Sequence, residues 1–294
     1  MQFNETLLIR LFIDLDDFCN QFKAWQQASR KQNPEWTCRL SCSEVMTLIV
    51  FYQQSGYKCF QYYYQEMVYK NMLDYFPELV TYKRFLSVIP CCLDQLYMFA
   101  QWQATQSKKT GIYYVDSKRL PVCHNRRIHN HKVFQSIASR GKSSTGWFYG
   151  LKLHLVINNY GEIISFLFAS ANLSDNNHQV LEYLFQGLKG NCYGDKGYLS
   201  KLFEQFYQQG LKLVTKLKKN MKSKLMPLQE KYQLMKRGII ESVNDILMTV
   251  QDLEHTRHRS PVNALAHMTA ALIAYNYRSE KPTVFFPEVR KLTS

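Results

Sequence analysis

The sequence predicts an α/β protein in which an all-helical N-terminal region, residues 1–107, precedes a mixed five-stranded sheet flanked by helices over residues 108–294. Three observations predict it. Apolar spacing changes from helical to alternating near residue 108. The strands beyond that point begin as a run with a tight turn and then alternate with helices. The charge balance changes at the same place. Residues 1–107 hold 9 Lys/Arg and 10 Asp/Glu, whereas residues 108–294 hold 28 and 13.

The composition excludes several classes. At 46% hydrophobic and 14% aromatic, the 294 residues can bury a sizeable core, which argues against global disorder. The eight cysteines include no CxxC pair, and Met1–Arg10 contains Glu5 and no continuous apolar run. The expectation is therefore reduced, packing cysteines in a cytoplasmic protein without a signal peptide. The longest apolar run, Met46–Tyr52, is too short to cross a bilayer, so no membrane partner is expected. No glycine-rich phosphate loop and no Gly-x-Ser-x-Gly elbow occurs. The net charge of +14 points instead to a polyanionic partner.

In the first region, Leu7–Gln27 carries apolar residues at helical spacing. Ser41-Cys42-Ser43-Glu44 fits a capping box that opens a helix over Val45–Gln54. Thr81–Val88 follows Pro77 and presents Lys83 and Arg84, and Leu93–Gln103 follows Pro90. A helical region with one basic helix fits a DNA reader of the helix-turn-helix kind, or else a packing domain. The aromatic-rich Tyr57–Tyr69 fits core or dimer contact better than base stacking.

In the second region, Ile112–Val115 is a β-branched and aromatic run that ends at Asp116. Trp147–Ile157 alternates, with Leu151, Leu153 and Leu155 on one face and Lys152 and His154 on the other. Asn158–Gly161 is a hairpin turn leading into the return strand Ile163–Ala169. A helix over Asp175–Leu188, a strand Asn191–Gly194 ending at Asp195, a helix Leu199–Gln208, a strand Leu211–Lys216 and a long helix Glu230–Leu253 complete the series. The order β-β-β-α-β-α-β-α is that of the ribonuclease-H-like fold. There the first and fourth strands are neighbours, so Asp116 and Asp195 would meet at one sheet edge.

Acidic residues are scarce in the basic region, which makes their positions informative. Asp116 ends a run that should be buried, and a buried carboxylate is costly unless paired or bound to metal. Asp195 stands between Gly194 and Gly197, and Glu241 lies within the long helix with Arg237 and Asp245 at four-residue spacing. Taken alone, that ladder is a surface ion-pair series. The 45 positions 117–161 contain no acid and eight Lys/Arg, a pattern suited to phosphate contact. Candidate DNA contacts are Lys118, Arg126, Arg127, Lys132, Lys142, Lys196, Lys218, Lys219, Arg237, Arg257 and Arg259, with Lys83 and Arg84 from the helical region. A zinc site built on Cys123 with His124, His129 and His131 matches no common finger spacing.

The segments Tyr114-Val115-Asp116-Ser117-Lys118, Val122–Arg127, Arg140–Ser144, Gly150–His154, Gly194-Asp195-Lys196-Gly197-Tyr198 and Ile240–Asp245 resemble bacterial insertion-sequence DDE transposases. The resemblance spans nearly the whole chain and is densest over residues 112–276. It implies Asp116, Asp195 and Glu241 as a catalytic triad that ligates Mg²⁺, with Mn²⁺ as a substitute. It also implies double-stranded transposon-end and target DNA as substrates, a homodimer, and two-metal cleavage followed by joining of the freed 3′-hydroxyl. Related helices carry a Tyr-x-x-Arg-x-x-x-Glu-x-x-x-x-x-x-Lys signature. Arg237 and Glu241 fit it, but Leu234 and Met248 stand at the Tyr and Lys positions, which leaves Asp245 as the fallback third ligand. The alternatives are a metal-dependent nuclease on the same fold, and a catalytically silent DNA-binding descendant.

Overall fold

The computed structural model describes residues 3–29, 36–143, 146–198, 202–215, 226–253 and 258–284. The chain forms two compact units, each gathered from separate stretches. One collects Met1–Gln103, Pro121–Ala138 and Ile246–Arg278; the other collects Ala104–Leu120, Ser139–Asp245 and Ser279–Ser294.

The first unit is helical. Glu5–Ala28 buries Leu8, Leu11, Leu15, Cys19 and Phe22 along one stripe. Cys42–Tyr52 is mostly apolar beyond its first turn and is buried along most of its length, packed against both Glu5–Ala28 and Pro261–Asn276. Its start is the expected capping box: the Ser41 hydroxyl accepts from the Glu44 N–H, and the Glu44 carboxylate accepts from the Ser41 N–H. The aromatic-rich stretch forms short helical turns around a π-helical segment, Tyr63–Val68, and packs as core. Tyr63 is fully buried and donates its hydroxyl to the Leu48 carbonyl at 3.0 Å, and Tyr64 donates to that of Val80 at 2.7 Å. Tyr82–Val88 is capped by Thr81 and carries Lys83 and Arg84 exposed.

The second unit holds a mixed sheet of β1 (Ile112–Cys123), β2 (Ser139–Ser143), β3 (Gly146–Asn158), β4 (Ile163–Ser170), β5 (Gly190–Gly194) and β6 (Leu211–Thr215). Its order is β2-β3-β1-β5-β6, with β4 also paired to β3. β1–β5 and β5–β6 are parallel, whereas β2 and β4 run antiparallel to β3. This is a ribonuclease-H-like arrangement, with the first strand beside the first strand of the βαβ series. The sheet has six strands where five are expected. The addition, Ser-Arg-Gly-Lys-Ser, carries no apolar residue; it pairs along β3, and its Ser139 hydroxyl accepts from the Ser170 hydroxyl at 2.8 Å and the Asn172 N–H at 2.9 Å. The turn from β3 to β4 is as expected: the Asn158 side chain accepts from the N–H groups of Tyr160 and Glu162, and Gly161 takes φ +69°.

Side chains alternate across β1. Tyr113 and Val115 join Cys192, Leu211 and Leu213 in a core closed by Val180, Leu181, Leu184 and Phe185 of the helix His178–Phe185 and by Phe206 of the helix Phe203–Gln208. Tyr114, on the opposite face, donates to the Gln233 side chain on the helix Leu228–Met235.

Three expected elements change shape. β1 runs on to Cys123, so Asp116 lies within a strand rather than at its end. The helix expected from Asp175 begins at His178, where Asn177 caps it, so Asp175 precedes it. The long helix is divided into Leu228–Met235, Gly238–Asp245 and a π-helical Ile246–Val250. The break falls at Lys236–Gly238, where glycine's conformational freedom weakens helix propagation. Among the described residues, no helix is long and apolar enough to cross a membrane.

Candidate active site

The parallel ladder between β1 and β5 pairs Ile112 with Asn191, Tyr113 with Cys192 and Tyr114 with Tyr193. Asp116 and Asp195 each lie two residues beyond the last of these pairs. With a side-chain period of two, Asp116 continues within β1 the face that carries Tyr114 and Tyr193, whose rings stand 5.7 Å apart, and Asp195 directly follows the end of β5. Asp195 is exposed and follows Gly194, where a Cβ would come 2.9 Å from a Val115 methyl. Glycine is therefore what lets the last residue of β5 lie so close to β1.

The helix Gly238–Asp245 faces the same carboxylate. The Asn244 amide donates to Asp116 Oδ2 at 3.0 Å, while its own Oδ1 is buried and finds no partner among the described residues. Arg237 pairs with Glu241 at 3.3 Å, its side chain 19% exposed. Asp245 stands 4.0 Å from Lys118. Burial pushes the Asp116 carboxyl up to about 6, against the Ser117 N–H and Arg237, which lower it, and with the negative charges of Asp175 and Glu241 adding to the rise.

Asp175 is the residue the sequence argument missed. Its Oδ1 accepts from the Ser117 hydroxyl at 2.7 Å and pairs with Lys152 at 3.0 Å. The Lys152 ammonium also donates to the Leu173 carbonyl at 2.9 Å. Lys152 and His154, on the polar face of β3, are both buried, and burial lowers the His154 imidazole to about 4. Lys152 is thus a structural counter-ion and not a phosphate contact. The available clue was Asp175 itself, one of few acids in a basic region.

The other sequence-derived residues divide between the units. Lys118, Lys142, Lys196 and Arg237 belong to the sheet unit, where Lys142 is exposed and lies over the Trp147 ring at 5.8 Å. Lys83, Arg84, Arg126, Arg127, Lys132 and Arg259 belong to the helical unit and are exposed. Lys218, Lys219 and Arg257 lie outside the described residues.

The donors around Asp116 are hard oxygens, suited to Mg²⁺ or Mn²⁺ and unsuited to soft metals. A half-buried carboxylate that resists ionisation, with an unpartnered buried amide oxygen beside it, fits a cation site. Glu241 is turned to Arg237, and among the described residues no three His, Cys, Asp or Glu side chains converge closely enough to hold an ion. The same holds for the Cys123 and histidine grouping.

No curated protein and no solved structure matches the chain. Residues 106–261, which span β1, the carboxylate face and the helix of Glu241, match the family model described as transposase DDE domain. By this match, which covers more than half of its length, the chain belongs to the family of DDE transposases.

Proposed function

We propose that this transposase cleaves DNA at transposon ends and joins the freed 3′-hydroxyl to target DNA, with Asp116, Asp195 and Glu241 as its metal ligands. The observation that supports the assignment is the β1–β5 register: Asp116 and Asp195 each follow by two residues the paired Tyr114 and Tyr193, Asp116 within β1 and Asp195 just past the end of β5. Glu241 is preferred to Asp245 as third ligand, because its charge acts on Asp116 whereas Asp245 faces Lys118. Divalent cations held there supply Lewis acidity to the attacking and leaving oxygens of the phosphodiester. The chain's own groups do the positioning. Asn244 fixes the Asp116 carboxylate by its amide N–H. Arg237 holds Glu241 from the preceding turn and neutralises part of the negative charge that phosphate would meet. Lys118 and Lys196, next in the chain after Ser117 and Asp195, are anchors for the DNA backbone. Lys142 is a further phosphate contact of the sheet unit, and Lys83, Arg84, Arg126, Arg127, Lys132 and Arg259 are the helical unit's own phosphate contacts in this reading. Work as a homodimer is part of the same reading.

The test is a labelled duplex carrying the element's terminal repeats, incubated with Mg²⁺ or EDTA and with Asp116→Ala, Asp195→Ala and Glu241→Ala in parallel. Nicking at the repeat end is expected only with metal, and is lost in all three variants while DNA binding is retained. Joined products establish strand transfer, and nicks alone reduce the assignment to a nuclease. Retained cleavage in Glu241→Ala with loss in Asp245→Ala would move the third ligand by one turn.

A further inference from the structure

The helical unit contains a cavity of about 550 Å³ that the carboxylate chemistry does not use. Its size is within the range of small-molecule sites. Tyr52, Phe60 and Tyr82 give it aromatic walls, half-buried over the fully buried Tyr63, Tyr64 and Phe85. Phe60 and the His267 imidazole meet edge to face at 4.7 Å.

The polar lining is unusual. Gln251 is 1% exposed, yet neither its Nε2 nor its Oε1 has a hydrogen-bond partner among the described residues. The same is true of His267 Nε2 and of Asn263 Oδ1. Buried polar atoms of this kind are ordinarily satisfied, so a group of them around one cavity is the mark of a site built for a polar occupant. Burial, together with the neighbouring His258, keeps His267 in its neutral form, able to donate or accept. Lys58 and Arg259, both exposed, add positive charge to the lining, and Asp252 adds an acceptor. The 16-residue helix Pro261–Asn276 starts at the cavity, with Ser260 as its cap.

We propose that this cavity is a nucleobase-binding site. A base offers a flat π-face to Phe60, Tyr52 and Tyr82. Its edge presents neighbouring donor and acceptor groups, which a primary amide such as Gln251 complements in pairs. The attached phosphate lies toward Lys58, Arg259 and the helix N-terminus. The base comes either from DNA, as an unpaired or extruded nucleotide, or from a free nucleotide. The site does not depend on the carboxylate reading.

The test uses the full chain in EDTA, so that the carboxylate site plays no part. Titration calorimetry with each deoxynucleoside monophosphate, and with deoxyribose 5-phosphate, reads the base directly. Fluorescence of a single-stranded oligonucleotide containing one 2-aminopurine reads the base within DNA. At least one mononucleotide should saturate at or below roughly 1 mM, about tenfold tighter than the sugar phosphate. Gln251→Leu, which keeps the volume, should weaken it about tenfold. If that variant does not fold, as judged by near-ultraviolet circular dichroism, Gln251→Glu replaces the donor by a negatively charged acceptor and should weaken binding at least as much. Quenching of 2-aminopurine that disappears in the same variant supports the proposal with DNA as the source. Mononucleotide binding without quenching supports it with a free nucleotide. Absence of both signals in folded wild-type protein, or both signals persisting unchanged in the Gln251 variants, overturns it.

Discussion

Replacing Asp116 by Asn should stabilise the metal-free protein at alkaline pH and leave it unchanged in acid. Burial, with the charges of Asp175 and Glu241 beside it, lifts this carboxyl from 3.8 to about 6. At 1.36 kcal/mol per pH unit, that rise corresponds to at most about 3 kcal/mol. The sign follows from the direction. A carboxyl with a raised folded-state pKa contributes stability below its unfolded value, and that contribution is lost as pH rises through about 6. Wild-type stability should therefore fall between roughly pH 4 and pH 7 through this group, whereas Asp116→Asn should lack that component. Urea denaturation in EDTA, followed by tryptophan fluorescence at several pH values, measures the difference directly. Added Mg²⁺ should recover the loss in wild type at high pH, should do little near pH 4, and should not act through this position in the variant. Equal stability of the two proteins at roughly pH 8, or a difference that does not vary with pH, would refute the argument that the fold holds an unfavourable charge for a cation to relieve.

Three further outcomes are expected from thermal or chemical denaturation. Lys152→Met leaves Asp175 unpaired beside Asp116 and should cost about 3 kcal/mol, and pairing it with Asp175→Leu should recover most of the loss. Gly190→Ala should cost about 2–3 kcal/mol or prevent folding, because Gly190 takes φ +116° and a Cβ there would lie 2.3 Å from the Gly111 carbonyl oxygen. Ser41→Ala removes one half of the capping box of Cys42–Tyr52 and should cost about 1 kcal/mol without altering nicking at the transposon end.

The parts of the fold legible in the sequence are those fixed by local pattern. β3 and β4 are given by alternation and by a turn whose Asn158 and Gly161 suit their backbone roles. The capping box is where it was expected, with Ser41 as the cap, although the helix starts at Cys42, three residues before Val45. β2 was not legible, because Ser-Arg-Gly-Lys-Ser has the composition of a loop and pairs only because β3 offers an open edge. The continuation of β1 through Ser117–Cys123 was hidden by its charges and by Pro121, which reads against a strand interior. At the candidate site, Asp116 and Asp195 stand out in the sequence because each follows a strand signal. Asp175 could not, since Ser117 and Lys152 are 58 and 23 positions away and only the folded sheet brings them together. For Lys152 the alternation of β3 gave its face but not its burial, which depends on a partner, Asp175, in the turn before the helix His178–Phe185.

The discontinuous make-up of the two units also governs when the protein can come into being. The helix Cys42–Tyr52 emerges from a ribosome well before the helix Pro261–Asn276 that packs against it. A nascent chain halted after Asp245 would carry Asp116, Asp195 and Glu241 together with a helical unit still lacking Ile246–Arg278. Prematurely ended products are thus denied a finished helical unit. For the same reason, neither unit can be lifted out by a single cut or exchanged by recombination at one border. Evolution must alter this chain residue by residue, or by insertion at exposed turns, rather than by trading one whole unit for another.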